Sequence, residues 1–210
     1  MSSAFSLQLI RLVPWSPKIY DKTDTLDVSD LRENNPERFI VHGTWNYRTF
    51  EQLLGKHRTN GWAGAGYHLF IAENSKLYQG RPFDREGAHA IGHNTSSISL
   101  CIYSPDGVLT PRRKILAIRT LDFLQGIYGD LPIISHTQAQ AIYINNLLHN
   151  QESTLQLPTD ASVTSIDGFN DLKAQLDGIV NQISTTTNYK LKQGIKNLKN
   201  CPGPLFLELT

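Results

Sequence analysis

Two histidines and a cysteine, far apart in the chain, have the make-up of one metal site: His42, His136 and Cys201. His42 closes the apolar run Phe39-Ile40-Val41. His136 closes a second run, Leu131-Pro132-Ile133-Ile134-Ser135. Cys201 opens the rigid tetrapeptide Cys201-Pro202-Gly203-Pro204. Imidazole nitrogen and thiolate sulfur are donors that zinc prefers. Three protein ligands leave the fourth corner of a tetrahedral ion for water, the arrangement of a hydrolytic site rather than a structural one. Taken singly, each residue has a plainer reading, as a hydrogen-bonded histidine at a strand end or a buried thiol. The other cysteine, Cys101, falls within Ser99-Leu100-Cys101-Ile102 and reads as a small buried residue. Two lone cysteines make no disulfide framework, so none is expected.

The elements that must position these residues can be read from pattern. Phe39 to His42 is a short buried strand of β-formers. Thr49 to Asn60 reads as a helix with Phe50, Leu53, Leu54 and His57 on one face, ended by Asn60-Gly61. Gly61 to Gly66 is a glycine-rich loop, but no Lys-Ser/Thr follows, so it is not a phosphate loop. Tyr67 to Ala72 reads as a strand and Lys76 to Gln79 as its hairpin partner. Gly80 to Asn94 is a loop, and Ser97 to Tyr103 another strand. The next helix opens on Thr110 as cap and Pro111 at its first position. It carries Ile115, Ile118, Leu121, Leu124 and Ile127 as its expected inner face and stops at Gly129. Leu131 to Ser135 is a strand and Thr137 to His149 a helix. Residues 150–165 are polar and read as a linker. Ile166, Phe169, Leu172, Leu176, Ile179 and Ile183 recur at helical spacing, and packing on the parent domain is favoured over a partner-binding role. Tyr189 to Leu198 reads as a short helix whose Lys190, Lys192 and Lys196, with Lys199 beyond it, form a solvated face.

The whole chain has 210 residues, 40% hydrophobic and 19% charged, with a net charge of +1. That suits one globular domain and gives no general attraction to nucleic acid or anionic lipid. No apolar stretch is long enough to span a bilayer. The N-terminal MSSAFSLQLIRLVPW has no basic leader, and Gln8 and Arg11 interrupt its apolar run, so it makes a poor signal peptide. The expectation is a chain made in the cytoplasm, reaching any outside target by another route or after loss of a leader.

Seven segments in order carry a family resemblance. They are Phe39-Ile40-Val41-His42-Gly43-Thr44, Gly66-Tyr67-His68-Leu69-Phe70-Ile71, Gly80-Arg81-Pro82, Gly87-Ala88-His89-Ala90, Gly92-His93-Asn94, Ser97-Ile98-Ser99-Leu100 and Lys199-Asn200-Cys201-Pro202-Gly203. Together they resemble the type 2 N-acetylmuramoyl-L-alanine amidases, the zinc family that includes bacteriophage amidases and animal peptidoglycan recognition proteins. The resemblance implies an α/β fold, a central mixed β-sheet flanked by helices, with one zinc ion in a groove over the sheet. It implies His42, His136 and Cys201 as ligands, and Tyr67 and Lys199 as the catalytic assistants. A phenol or an ammonium there would stabilise the oxyanion of a tetrahedral intermediate. Thr44, Arg81, His89, His93 and Asn94 are the expected substrate-binding residues. For Arg81 the reason is chemical, since a guanidinium pairs with a carboxylate in bidentate fashion, although it could equally anchor its loop. His68 reads as structural or as a support behind the site, and Trp45 and Trp62 as core packing in preference to stacking on a sugar. Cys101 stands where the cytosolic anhydro-muropeptide amidases tend to carry glutamate, which places the chain nearer the phage and recognition-protein branch.

The implied activity is zinc-dependent hydrolysis of the lactyl–L-alanine amide of peptidoglycan, by a monomer whose partner is peptidoglycan or a muropeptide. The alternatives are a recognition module that binds such fragments without turnover, and a protein-docking role for the 166–183 helix. His136 and Cys201 stand further apart than in compact members of the family. The expected organisation is therefore an N-terminal arm (1–38), a core (39–149), a helical insertion (150–198) forming a closed excursion beside the groove, and a C-terminal segment (199–210) with the cysteine.

Overall fold

The computed structural model describes residues 15–149 and 156–182, together with Leu191, Gly194, Ile195, Leu198, Lys199, Cys201 and Leu209. Its frame is a six-stranded sheet in the order β1-β4-β3-β5-β2-β6. The strands are β1 (Ile19–Asp21), β2 (Arg38–Thr44), β3 (Leu69–Ile71), β4 (Leu77–Gln79), β5 (Ser97–Tyr103) and β6 (Ile133–Ser135). Only β3 and β4 pair antiparallel; every other neighbour is parallel. The helices are α1 (Phe50–Thr59), α2 (Pro111–Tyr128), α3 (His136–His149) and α4 (Ile166–Gln182). This is the mixed sheet with flanking helices that the sequence resemblance implies.

The two faces of the sheet do different work, and the two-residue side-chain period of a strand divides them. Along β2, Phe39 and Val41 point into the larger core. There they meet Leu69, Ile71, Ile98, Leu100 and Ile102 and the α2 residues Ala117, Ile118, Leu121 and Leu124. Ile40 and His42 point to the other face, where Ile40 packs with Ala90 and Ala139 and α1 packs through Phe50, Leu53 and Leu54 over Phe70 and Cys101. Each such side chain, fully buried, contributes about 1.5–3 kcal/mol. The site is thus built on one face while the other is committed to the core.

The helix starts follow the sequence. Thr49 accepts the Gln52 amide, and the Gln52 side chain returns to the Thr49 amide. Thr110 accepts the Arg113 amide ahead of Pro111, and Gly129 ends α2 at φ +83°. The inner face of α2 differs from expectation. Ile115 and Ile127 are 41% and 53% exposed, and the buried stripe is Arg113, Ala117, Ile118, Thr120, Leu121 and Leu124. A strict three-residue repeat drifts about 60° around the helix at each step, so its two ends leave the face that its middle occupies.

Several strand limits also shift. Tyr67 and His68 precede β3 and do not belong to it, and β6 begins at Ile133. The N-terminal arm contributes a strand, β1, whose Ile19, Tyr20 and Asp21 pair with Leu77, Tyr78 and Gln79 at the sheet edge. Residues 1–14 lie outside the described residues, as do Lys190, Lys192 and Lys196 of the expected basic face and Ile183 of the amphipathic stripe.

The stretch expected to be a linker holds part of a second core. Leu157 and Val163 are buried with Leu172 and Leu176 of α4, Leu191, Ile195, and Ala141, Ile144 and Leu148 of α3. Asn145 ties Leu157 to α3: its side-chain amide donates to the Leu157 carbonyl (2.9 Å) and its Oδ1 accepts the Leu157 amide (2.8 Å). The buried Leu172 and Leu176 pack against α3, as the preferred reading of the amphipathic stripe requires. Among the described residues, no helix is long and apolar enough to cross a membrane.

His68 is a structural tie between the approach to β3 and β5. Its Nδ1 accepts the Ser99 amide (3.1 Å), so Nε2 carries the proton and donates to the Arg85 carbonyl (2.9 Å). Burial lowers its pKa from 6.5 to about 4. The unfolded chain therefore takes up this proton below pH 6.5 and the folded chain only near pH 4, so stability is lost as pH falls between those values. From pH 7 to pH 5 the His68 share is about 2 kcal/mol. Urea unfolding with chelator present should show a pH dependence that flattens by that amount in His68→Gln. An unchanged dependence would remove His68 from the account.

Candidate metal centre and groove

The two histidines meet because β2 and β6 run parallel, side by side, and end at the same edge; Ile40 pairs with Ile134 and Val41 with Ser135. Loops at the carboxyl ends of parallel strands are where such sheets carry ligands. His42 lies on the face opposite Val41, in register with Cys101 of β5. His136 is the first residue of α3. A reciprocal cap sets its direction: the Gln138 amide donates to Ser135 Oγ (3.1 Å), and the Ser135 amide donates to Gln138 Oε1 (2.8 Å). Cys201 arrives from the far end of the chain. Its amide and carbonyl bond to Thr137, and its Sγ accepts the Gly43 amide at 3.4 Å.

One donor atom from each of His42, His136 and Cys201 lies within 4.8 Å of the others. Cys201 Sγ is 4.0 Å from His42 Nδ1, and the two imidazole centroids are 4.5 Å apart. Nitrogen and sulfur donors on a tetrahedral zinc ion stand about 3.5 Å apart, so this pair is about half an ångström wide of that spacing. Burial, then neighbouring His136 and His89, holds His42 well below the ordinary histidine range. Burial, then Lys199 and His93, lowers His136 to about 3. Both imidazoles are therefore neutral, the form that binds metal. Burial pushes the Cys201 thiol up to about 11, against the pull of the Gly43 amide and Lys199. Two neutral imidazoles and a thiol, converging in a buried pocket, form a donor set that suits a zinc ion.

A polar chain fixes the ring of His42 from behind. Its Nδ1 faces the sulfur, which leaves the proton on Nε2 for His89 Nδ1 at 3.1 Å. His89 Nε2 then faces Ser97 Oγ (3.5 Å), and the Ser97 hydroxyl donates to the His93 carbonyl (2.6 Å). The tautomers are assigned from this network. Outer partners of this kind orient a ligand and raise its basicity. His89 thus supports His42 as well as lining the groove.

The groove is a cavity of about 530 Å³ whose lining includes Thr44, Trp45, Trp62, Tyr67, His136 and Cys201. A second cavity of about 400 Å³ adjoins it, with Ile91, Asn94 and Gln140 in its wall. The two share Trp62, Ala88, His89, His136 and Lys199. Of the three candidate ligands, His136 lies between the two recesses and Cys201 opens on the first. Tyr67 is half-buried beside the cluster, its ring 4.9 Å from that of His42. Burial and the adjacent Cys101 and Cys201 thiols push its pKa well above 10, so the phenol stays protonated. Cys101 is fully buried on the same face of the sheet as His42, in the cluster against which Tyr67 packs. Both cysteines are free. Gly66, just before Tyr67, has no room for a side chain: a Cβ there would meet the Ala88 carbonyl oxygen at 2.5 Å.

Three expectations are corrected. Arg81 is buried and its guanidinium donates to the carbonyls of Ala65 and Glu86, so it anchors the loop and is not available to a substrate carboxylate. His93 is buried with Nε2 on the Ala139 carbonyl (2.9 Å), away from the groove. Trp45 and Trp62 are not core residues: they are 60% and 39% exposed on the cavity wall. Asn94 lines the second cavity, but its Oδ1 is occupied by the amides of His89 and Ala90 (2.9 Å each).

Asn46, Tyr47, His57 and Asn60 also line the first cavity and were not singled out by pattern. The first two follow directly on Thr44; the others lie at the end of α1, where His57 Nδ1 accepts the Gly66 amide at 2.8 Å. Their position next to the His42 and Tyr67 segments is the signal that could have found them.

A family model described as N-acetylmuramoyl-L-alanine amidase matches residues 32–163. The endolysin of Enterobacteria phage K11 is 29% identical over 120 residues, 52% of this chain and 80% of that protein. The endolysin of Klebsiella phage KP32 is 31% identical over 72 residues, 31% of this chain and 47% of that protein. Among solved structures, N-acetylmuramoyl-L-alanine amidase LysC from Clostridium intestinale URNW aligns with a TM-score of 0.53 at 23% identity, covering 77% of this chain and 99% of that one. Drosophila PGRP-LB aligns with a TM-score of 0.51 at 20% identity, covering 59% of this chain and 85% of that one.

Proposed function

The chain belongs to the N-acetylmuramoyl-L-alanine amidase family, and from that premise we propose that it is a zinc enzyme hydrolysing the amide between the lactyl group of N-acetylmuramic acid and L-alanine in peptidoglycan. The observation that carries this reading is the convergence of His42, His136 and Cys201 beside a groove that His136 and Cys201 line. Zinc held by these three residues supplies a Lewis acid that polarises a carbonyl and makes water nucleophilic at neutral pH.

The chain's own groups supply the rest. Tyr67, kept protonated by burial, is a hydrogen-bond donor for the negative charge that develops on the attacked carbonyl oxygen. Lys199 lines both recesses and lies close enough to depress His136, so its ammonium adds to the same field. Thr44 and His89 line the groove within reach of a substrate. The exposed indoles of Trp45 and Trp62 suit the apolar face of a sugar ring. With two recesses meeting at His136, glycan and stem peptide can lie on opposite sides of the scissile bond. The setting for this activity is the bacterial wall.

The test is mass spectrometry of purified wall digested by the zinc-loaded protein. The expected products are free stem peptides with an L-alanine amino terminus and glycan that keeps its lactyl groups. Cleavage within glycan or stem peptide would overturn the assignment of the bond. Binding of stem peptide with no product would make the chain a recognition module.

A further inference from the structure

Cys201 is the ligand with the longest return path, and its anchorage is unusually specific. It stands 64 residues beyond Thr137, yet the two are joined by a closed set of hydrogen bonds. The Thr137 amide, in the first turn of α3, donates to the Cys201 carbonyl at 3.1 Å. First-turn amides have no partner within their own helix, so this donor is free to bind an outside segment. Thr137 Oγ1 accepts the Cys201 amide at 2.9 Å. Its hydroxyl donates towards the carbonyls of Lys199 (3.0 Å) and Cys201 (3.2 Å). One turn on, Gln140 Oε1 accepts the Lys199 amide at 2.9 Å. Thr137 is fully buried and follows directly on His136.

We propose that Thr137 is a positioning residue for the metal centre: its amide and hydroxyl dock Lys199 and Cys201 onto the start of α3 and so fix Cys201 Sγ relative to His136. The inference rests on the zinc reading above. Its physical basis is that a long loop closes at little more cost than a short one, because the entropy grows only with the logarithm of length. What length does not supply is registration of the returning end. A hydroxyl can accept from one backbone group and donate to another; valine keeps its shape and does neither.

The test measures zinc affinity of the full chain by competition with a chromophoric chelator, at 25 °C and fixed pH. Thr137→Val is expected to bind zinc about 10–100-fold more weakly, the usual effect of losing an outer-shell partner. Thr137→Ser keeps the hydroxyl and should stay within about threefold of the parent. If Thr137→Val does not fold, Thr137→Ala takes its place against Thr137→Ser. Parent-like affinity in the valine or alanine variant overturns the proposal, and so does equal weakening in the serine variant, which would make the methyl group the operative part. A parent protein that binds no zinc sinks the metal reading itself, and that outcome is seen before any variant is compared.

Discussion

Cys201→Ala is expected to lose most of its zinc affinity and to cut amide hydrolysis by about a thousandfold or more, with the fold retained. The size follows from what is removed. A Lewis acid at a carbonyl supplies several kcal/mol to the transition state, and about 4 kcal/mol is a thousandfold. The fold should survive because the anchorage of this segment is made by backbone atoms. The Thr137 bonds to the amide and carbonyl of Cys201 remain, and only the weak sulfur contacts with the Gly43 amide and carbonyl and with His42 are lost. The larger core on the opposite face of the sheet is untouched. The check is threefold: zinc content after gel filtration, release of stem peptide from purified wall, and the thermal midpoint with chelator present. Full turnover by the variant in chelator would refute the metal mechanism. Loss of activity with parent-like zinc content would move the cysteine from ligand to some other task.

The clustering of His42, His136 and Cys201 was legible in the sequence because these residues sit at the boundaries of strongly patterned elements. An apolar run that ends in histidine fixes both the strand and the point where it leaves the sheet, and β2 and β6 then bring His42 and His136 together. The start of α3 was equally available. Ser135-His136-Thr137-Gln138 has the serine-to-glutamine spacing of a reciprocal cap, which places His136 at the first helical position. The helix expected from Thr137, with ambiguous ends, starts one residue earlier at His136. Other features were not legible. A buried arginine and an exposed one have the same sequence signature, and Arg81 is decided by two backbone carbonyls that only the loop geometry brings near. The same holds for Trp45 and Trp62, whose exposure depends on the groove between them. The polar stretch before α4 hid two core residues, Leu157 and Val163, because isolated apolar residues carry no period.

The second core has a consequence for the metal that the main core does not. The chain between His136 and Cys201 passes through the cluster of Ile144, Leu148, Leu157, Val163, Leu172, Leu176, Leu191 and Ile195, so the cysteine's position depends on that cluster being closed. Leu176→Ala should cost about 2–5 kcal/mol, the range for a leucine truncated in a packed interior. It should also weaken zinc binding, because local opening of the excursion withdraws one ligand of three. Leu121→Ala, in the main core beneath α2, removes the same group and should cost a similar amount. Its effect on zinc should be small below the unfolding transition, since His42 shares the opposite face of β2 with Ile40, and α3 packs on that face through Ala139. Urea unfolding in chelator gives the stability of each variant, and competition at low urea gives its zinc affinity. If the two variants lose affinity equally for equal loss of stability, the excursion is not specially coupled to the site. If Leu176→Ala alone loses affinity, the second core is what holds the third ligand in place.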